Sequence, residues 1–222
     1  MIKYGYYFFS QTDFIRKLRM TVTSRQYLLV SFIFFLFACK QNEASKNLKT
    51  EQVQIVIQPF DDLDKSMSDY VFKRIQEVYP KVILSEKVPL PSQAFYEPRN
   101  RFKADSILKY FNRLPTTNKV FIGLTSKDIS TRKGKVDDFG VMGLGNCPGK
   151  SCVASTFRLA KNNKKEQLFK VAIHELGHTQ GLPHCKEKYC FMRDAEGKNP
   201  TNEEKEFCEK CKLHLIGKGF QL

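Results

Sequence analysis

The most constraining feature of this 222-residue chain is the string His174-Glu-Leu-Gly-His178-Thr-Gln-Gly181-Leu-Pro-His184. The protein has four histidines, and three of them fall within this string. Residues four apart lie on one face of a helix, so His174 and His178 would present their imidazoles side by side. Gly181 can adopt the left-handed conformation that ends a helix, and the proline after it cannot continue one. The chain would therefore turn and bring His184 back toward the other two.

Three histidines grouped in this way predict a catalytic zinc site. Imidazole nitrogens bind Zn²⁺, and three protein ligands leave open a fourth position, which distinguishes a catalytic zinc from a structural one. Glu175 lies beside the two helix histidines, where its carboxylate can activate a water on the zinc as a general base. The alternative is that these are ordinary hydrogen-bonded histidines that bind no metal. The spacing favours a zinc hydrolase.

Four cysteines form a second pattern typical of metal binding. Cys185 follows the third histidine directly, and Cys190, Cys208 and Cys211 complete two close pairs. Four thiolates in this arrangement suit a closed, tetrahedral structural zinc. If the protein is exported, the alternative is that these cysteines form disulfides, because compartments outside the cytoplasm are oxidising. We favour zinc, since Cys208 and Cys211 lie three apart on one face of a predicted helix, where a disulfide would be strained.

Two further cysteines, Cys147 and Cys152, enclose Pro148-Gly149-Lys150-Ser151, which has the composition of a turn. A local disulfide across this turn is compatible with an oxidising compartment. The sequence alone leaves open whether this disulfide forms.

The first 39 residues have the character of an export signal. The run from Tyr27 to Ala38 is apolar apart from Ser31, but it is shorter than the roughly 20 residues that span a bilayer. It ends in Leu36-Phe37-Ala38-Cys39, which resembles a bacterial lipobox, a motif whose cysteine is lipidated and becomes the first residue of the mature protein. Met20 is a plausible true start. The alternatives are a plain cleaved signal and a short membrane anchor.

These features predict a signal peptide over 1–39, a flexible polar tether over 40–52 and one domain with the zinc-hydrolase site over 53–222. The expected location is the cell envelope, with a lipid on Cys39 as the membrane anchor; secretion or an N-terminal helical anchor are alternatives. The formal net charge is +14, but the lysines are scattered and not interleaved with aromatic residues. We therefore expect a solvated surface, a monomer and no nucleic-acid partner.

Hydrophobic periodicity predicts an α/β fold, a mixed twisted sheet backed by helices. Thr201 and Glu204 have the spacing of a capping box, which predicts that the last helix begins near Asn202. The strand from Phe139 to Gly145 is rich in glycine, so it either lets an extended substrate approach or is a sheet edge without such a role. Strands are predicted at 53–60, 81–90, 119–124, 139–144 and 152–160, and the other helices at 64–79, 99–114 and 163–180.

The motif from His174 to Met192, with Cys208-x-x-Cys211 downstream, resembles the archaemetzincins, a metzincin-type family of zinc metallopeptidases. Upstream, residues 122–128, 139–140 and 155–159 also resemble the family pattern, so the resemblance covers essentially 53–222. It implies a metzincin-like zincin fold in which Met192 is the methionine of the Met-turn beneath the active site. It also implies two zinc ions, a catalytic one bound by His174, His178 and His184 and a structural one bound by Cys185, Cys190, Cys208 and Cys211.

The expected function is hydrolysis of peptide bonds in a peptide or protein substrate. The alternative from another class is a non-catalytic, zinc-stabilised lipoprotein that captures peptides. Glu175 favours the enzyme, because a purely structural zinc site does not need that carboxylate.

Overall fold

The computed structural model describes residues 52–114 and 117–222. The predicted signal, Cys39 and all but the last residue of the predicted tether lie outside the described residues. Within the described ranges, no helix has both the length and the apolar character needed to cross a membrane.

The described chain alternates strands and helices in its first half and then forms five consecutive strands before two final helices. The helices are α1 (Lys65–Val78), α2 (Ala104–Asn112), α3 (Lys164–Thr179) and α4 (Glu209–Ile216). The strands are β1 (Gln54–Pro59), β2 (Val82–Leu84), β3 (Phe95–Tyr96), β4 (Arg101–Lys103), β5 (Lys119–Thr125), β6 (Ile129–Lys133), β7 (Val136–Val141), β8 (Gly143–Gly145) and β9 (Ser151–Ser155).

The main sheet has the strand order β2-β1-β5-β9-β8. Its first four strands are parallel, and β8 runs antiparallel to β9 at one edge. Side chains alternate between the two faces of a strand, so Ile55 and Ile57 join the core that includes α1 and α3, while Val56 joins the core of α2. Helices on both faces explain why the central strands are almost continuously apolar.

A smaller sheet has the order β3-β4-β6-β7. Along the chain, β3 and β4 lie between β2 and α2, and β6 and β7 lie between β5 and β8. Strand β7 ends at Val141 and β8 begins at Gly143, so only Met142 separates the two sheets along the chain. The Gly-rich segment predicted as one strand is therefore two edge strands, one in each sheet.

The predicted helix over 99–114 begins later than expected, at Ala104, because residues 101–103 form β4. Arg101 is nearly buried and pairs with Asp128 at 2.9 Å and Asp138 at 3.2 Å. These two partners lie far along the chain, so no local pattern could indicate that Arg101 belongs to a strand. Strands β3 and β6 were not predicted, and the strand predicted over 81–90 is limited to Val82–Leu84.

The prediction that the last helix begins near Asn202 is wrong, because α4 begins at Glu209. The backbone before α4 pairs instead with the loop that carries Cys190. Lys205 N–H donates to Tyr189 O (2.8 Å), and Phe191 N–H donates to Glu206 O (2.9 Å). The Thr201 hydroxyl donates to Asn199 Oδ1 (2.7 Å) and caps no helix. This pairing brings the end of the segment beside Cys190, where the four-cysteine group is assembled.

Candidate active site and metal centres

Helix α3 carries the first two histidines and ends as its sequence predicts. Gly181 has φ +93°, the left-handed conformation that favours glycine. The Leu182 N–H donates to Gly177 O (3.0 Å) and the Gly181 N–H donates to His178 O (2.8 Å). This pair of bonds is the Schellman motif, which satisfies carbonyls left open at a helix end. The turn directs the following residues back toward the exposed side of α3, where His184 lies.

The three histidines meet at one point. Each offers a donor nitrogen, and these atoms all lie within 4.8 Å of one another. The Nδ1 atoms of His174 and His178 lie 2.6 Å and 2.7 Å from the carbonyl oxygens of Phe191 and Leu182. A carbonyl only accepts, so each Nδ1 carries the proton and each Nε2 keeps its lone pair for a metal.

The third histidine is held by a residue that sequence reasoning missed. Asp194 Oδ2 lies 3.3 Å from His184 Nδ1, and both side chains are about half exposed. A carboxylate behind a ligand histidine orients the ring and makes it a better donor. The only sequence signal was the position of Asp194 two residues after Met192, which has no general meaning.

Burial keeps the helix histidines in the form that binds metal. Burial, with the adjacent His178, lowers the pKa of His174 to about 3. Burial is also the main cause of the lowered pKa of His178. Both imidazoles are therefore neutral at neutral pH, as ligation requires. With His184, these two imidazoles converge on one point and fit the donor set of a catalytic zinc site.

Glu175 is buried against the edge strand β8. A Cβ on Gly143 would stand 2.6 Å from Glu175 Oε1, and one on Gly145 would stand 3.1 Å from Oε2. Only glycine therefore allows the carboxylate to lie so close to the strand. Burial raises the pKa of Glu175 to about 8. A dication at the histidines would lower it again, because an opposite charge favours the ionised carboxylate.

Met192 lies fully buried against the helix that carries the histidines. A Cβ on Gly177 would stand 2.4 Å from Met192 Sδ, which leaves no room for a side chain between them. The Met192 carbonyl accepts a hydrogen bond from the Cys185 N–H (2.7 Å), so this segment also reaches the cysteine group. The Met-turn role of Met192 remains a prediction from the resemblance.

The four cysteines form a second compact group with geometry suited to zinc. Their Sγ atoms lie within 4.8 Å of one another, and Cys185 Sγ and Cys208 Sγ are 3.6 Å apart. A tetrahedron with Zn–S bonds of about 2.3 Å has S···S edges of about 3.8 Å. A disulfide would require about 2.05 Å. Sulfur also accepts backbone hydrogen bonds here: the N–H groups of Met192 and Cys208 lie 3.4 Å and 3.3 Å from Cys190 Sγ.

Cys147 and Cys152 form no disulfide, and both thiols are free. Cys152 lies in β9 with its side chain in the core, where burial raises the pKa of the thiol well above its usual value. Cys147 is exposed, and its Sγ lies 3.5 Å from the Leu182 carbonyl oxygen. The strand pairing of Cys152 with Ile122 directs its thiol into the core rather than across the turn.

A cleft of about 430 Å³ extends from the histidines. One wall is the β7–β8 segment, another is α3, and a third is the loop after Met192. Glu204, expected to cap a helix, lines this cleft instead, and burial raises its pKa to about 7. Lys170 supports this wall by donating to the Thr201 and Glu204 carbonyls at 2.7 Å and 2.6 Å.

Comparison with known proteins agrees with this arrangement. The sequence matches the model of peptidase family M54 over residues 48–217. It is 29% identical over 181 residues to the archaemetzincin of Methanocaldococcus jannaschii, covering 77% of this chain and 97% of that protein. It is 30% identical over 168 residues to the archaemetzincin of Archaeoglobus fulgidus, covering 72% of this chain and 96% of that protein.

The fold is also similar to solved structures. The crystal structure of archaemetzincin from Methanopyrus kandleri superposes with a TM-score of 0.65 at 25% identity, covering 78% of this chain and 98% of that one. The mixed α/β architecture is therefore shared with the archaemetzincins. The family match extends over most of the sequence, and the chain belongs to peptidase family M54 and is a zinc metallopeptidase.

Proposed function

We propose that this protein is a lipid-anchored envelope peptidase in which Glu175 is the general base beside a zinc ion held by His174, His178 and His184. One observation carries the proposal: three converging imidazoles meet at a cleft that is also lined by the buried Glu175 carboxylate. No described residue near the histidines offers a comparable base, because Asp194 is paired with His184.

When bound, zinc supplies a Lewis acid that polarises the peptide carbonyl and acidifies water. The Glu175 carboxylate accepts a proton from the attacking water and then delivers it to the amine of the leaving fragment. The carbonyls of Phe191 and Leu182 hold His174 and His178 in one tautomer throughout. The position of Glu175 is kept by its close contact with Gly143 and Gly145.

The substrate is a peptide in extended conformation. In the described part of the chain, no strand pairs with the outer edge of β8. An unpaired edge can add an extended peptide through backbone hydrogen bonds. The glycines of β8, which make room for Glu175, would place that peptide beside the catalytic carboxylate.

A second zinc is proposed at Cys185, Cys190, Cys208 and Cys211, with a stabilising role. Because Cys185 directly follows His184, this site would hold the third catalytic ligand in place. Two zinc ions per monomer are therefore expected.

The test of the proposal is digestion of a mixed peptide library by the purified protein, with zinc measured on the same sample. We expect about two zinc ions per chain and cleavage that stops with a chelator and returns with added zinc. Zinc-dependent peptide binding without cleavage would support the alternative, a non-catalytic peptide-capturing lipoprotein.

The proposed location rests on the N-terminal sequence: a signal over 1–39, a tether over 40–52 and the peptidase domain over 53–222. Lipidation of Cys39 would hold the enzyme at the membrane surface. Cys39→Ser should move the protein from the membrane fraction to the soluble fraction or leave it unprocessed, since the lipid is the anchor. Cys147→Ser, which changes an exposed thiol of the domain, should remain with the membrane. Parent protein found only in the soluble fraction would contradict the lipid anchor.

A further inference from the structure

A charged cluster lies behind the β7 wall of the cleft. Asp128 is shared by two guanidinium groups: its Oδ2 lies 2.9 Å from Arg101 Nη2 and its Oδ1 lies 2.8 Å from Arg158 Nη2. Asp138 is shared in the same way, 3.2 Å from Arg101 Nη1 and 2.9 Å from Lys103 Nζ. Arg99 Nε also lies 3.9 Å from Asp138 Oδ2. Four cations therefore share two carboxylates, and the cluster carries excess positive charge.

Among these residues, Arg158 alone lines the cleft. The side chains of Arg101 and Asp128 are only 11% and 7% exposed, whereas that of Arg158 is 34% exposed. Within the described ranges, the ion pairs and hydrogen bonds of Arg158 with acidic groups all run from Nη2 to Asp128. No ion pair within the described ranges uses Nε or Nη1, and Asp128 holds the guanidinium group in place through Nη2.

The position of Arg158 relative to the catalytic carboxylate follows from two glycines on one wall. A Cβ on Gly140 would stand 2.1 Å from Arg158 Nη2, so the guanidinium group lies directly on that residue. Glu175 lies on Gly143 in the same manner. Three residues of chain span at most about 10 Å. The two groups therefore lie along one wall, on glycines that are no farther apart than three residues of an extended peptide.

We propose that Arg158 binds a carboxylate of the substrate two or three residues from the scissile bond, so that the enzyme prefers anionic peptides. The inference rests on the proposed peptidase function and specifies its substrate class. A guanidinium group fixed in advance offers a fork of donors that matches a carboxylate. The excess charge of the cluster means that such a carboxylate completes the ion pairing rather than competing with Asp128. The same cleft is also lined by the acidic residues Asp194, Glu196 and Glu204, which lie on the loop after Met192.

Two sources could supply the carboxylate, the C-terminus of a short peptide or an Asp or Glu side chain. Two matched pairs of peptides distinguish them. One pair differs only in a free or an amidated C-terminus two or three residues after the cleaved bond. In the other pair, both peptides have an amidated C-terminus. They differ at one position, two or three residues to either side of the cleaved bond, where one has Glu and the other has Gln.

The experiment compares kcat/KM within each pair for the zinc-loaded parent and for Arg158→Gln. The parent should prefer the anionic peptide in at least one pair by roughly ten- to hundredfold, as expected for a charge-assisted hydrogen bond. Arg158→Gln should reduce this preference to about threefold or less, while uncharged peptides are cleaved at nearly the parental rate. Arg132→Gln is the matched control, because Arg132 is exposed, pairs with Asp137 and does not line the cleft. It should keep the full preference.

The inference is overturned if the parent shows no preference in either pair, or if Arg158→Gln retains the preference. Should Arg158→Gln fail to fold, Arg158→Lys and Lys133→Gln decide the matter, because Lys133 also lines the cleft. The preference should weaken in Arg158→Lys and persist in Lys133→Gln; the opposite pattern would assign the carboxylate to Lys133. A parent that cleaves charged and uncharged peptides equally well leaves the peptidase function intact and removes only the role of Arg158.

Discussion

Glu175→Gln is expected to lower kcat/KM for peptide hydrolysis by roughly 10²- to 10⁴-fold, the contribution typical of a well-placed general base. The glutamine amide has the same shape as the carboxylate but cannot accept a proton from water. Peptide binding should change little, since the wall formed by β7 and β8 is unaltered. Zinc content should also be unchanged, because the three histidine donors do not include Glu175.

The control for this variant is Glu204→Gln, which removes another buried carboxylate from the same cleft. Glu204 lies beside Lys170 rather than among the histidines, so hydrolysis should stay within about threefold of the parent. Initial rates on one uncharged peptide, with zinc measured on each sample, provide the comparison. Activity of Glu175→Gln equal to that of the parent would refute the general-base assignment. Loss of zinc in that variant would mean that Glu175 has a structural role.

Cys208→Ser should release one of two zinc ions and lower the free energy of unfolding by roughly 3 kcal/mol or more, as is typical when a structural metal is lost. Cys208 is the residue before α4, and its sulfur lies 3.6 Å from Cys185 Sγ. Without the metal, α4 and the loop that begins at Cys185 would lose their connection. Because His184 precedes Cys185, peptide hydrolysis should fall as well.

Zinc per chain and urea unfolding of the parent and Cys208→Ser measure this effect. Cys147→Ser is the control, since Cys147 is exposed and outside the four-cysteine group, and it should keep both zinc ions. Thiol titration of the unfolded parent should find the four cysteines reduced. One zinc per chain, with these thiols oxidised in pairs, would instead establish disulfides at this site.

The catalytic string was predictable because its geometry is local. The separation of four residues between His174 and His178 places both rings on one helix face. The left-handed Gly181 then ends the helix through bonds that involve only residues 177–182. The expectation for the last helix failed for the opposite reason. A capping box at Thr201 is a local preference, and the pairing of Lys205 and Glu206 with a distant loop overrides it.

By itself, the sequence indicated the histidine and cysteine groups, the proposed general base and the peptidase family, because ligand spacing on a helix and a turn depends on neighbouring residues. Only the tertiary structure decided that Asp194 supports His184, that Gly143 makes room for Glu175 and that Arg158 faces the cleft. Each of these contacts joins residues from different strands, helices or loops. Their proximity is set by how the two sheets and α3 pack, which no spacing along the chain encodes.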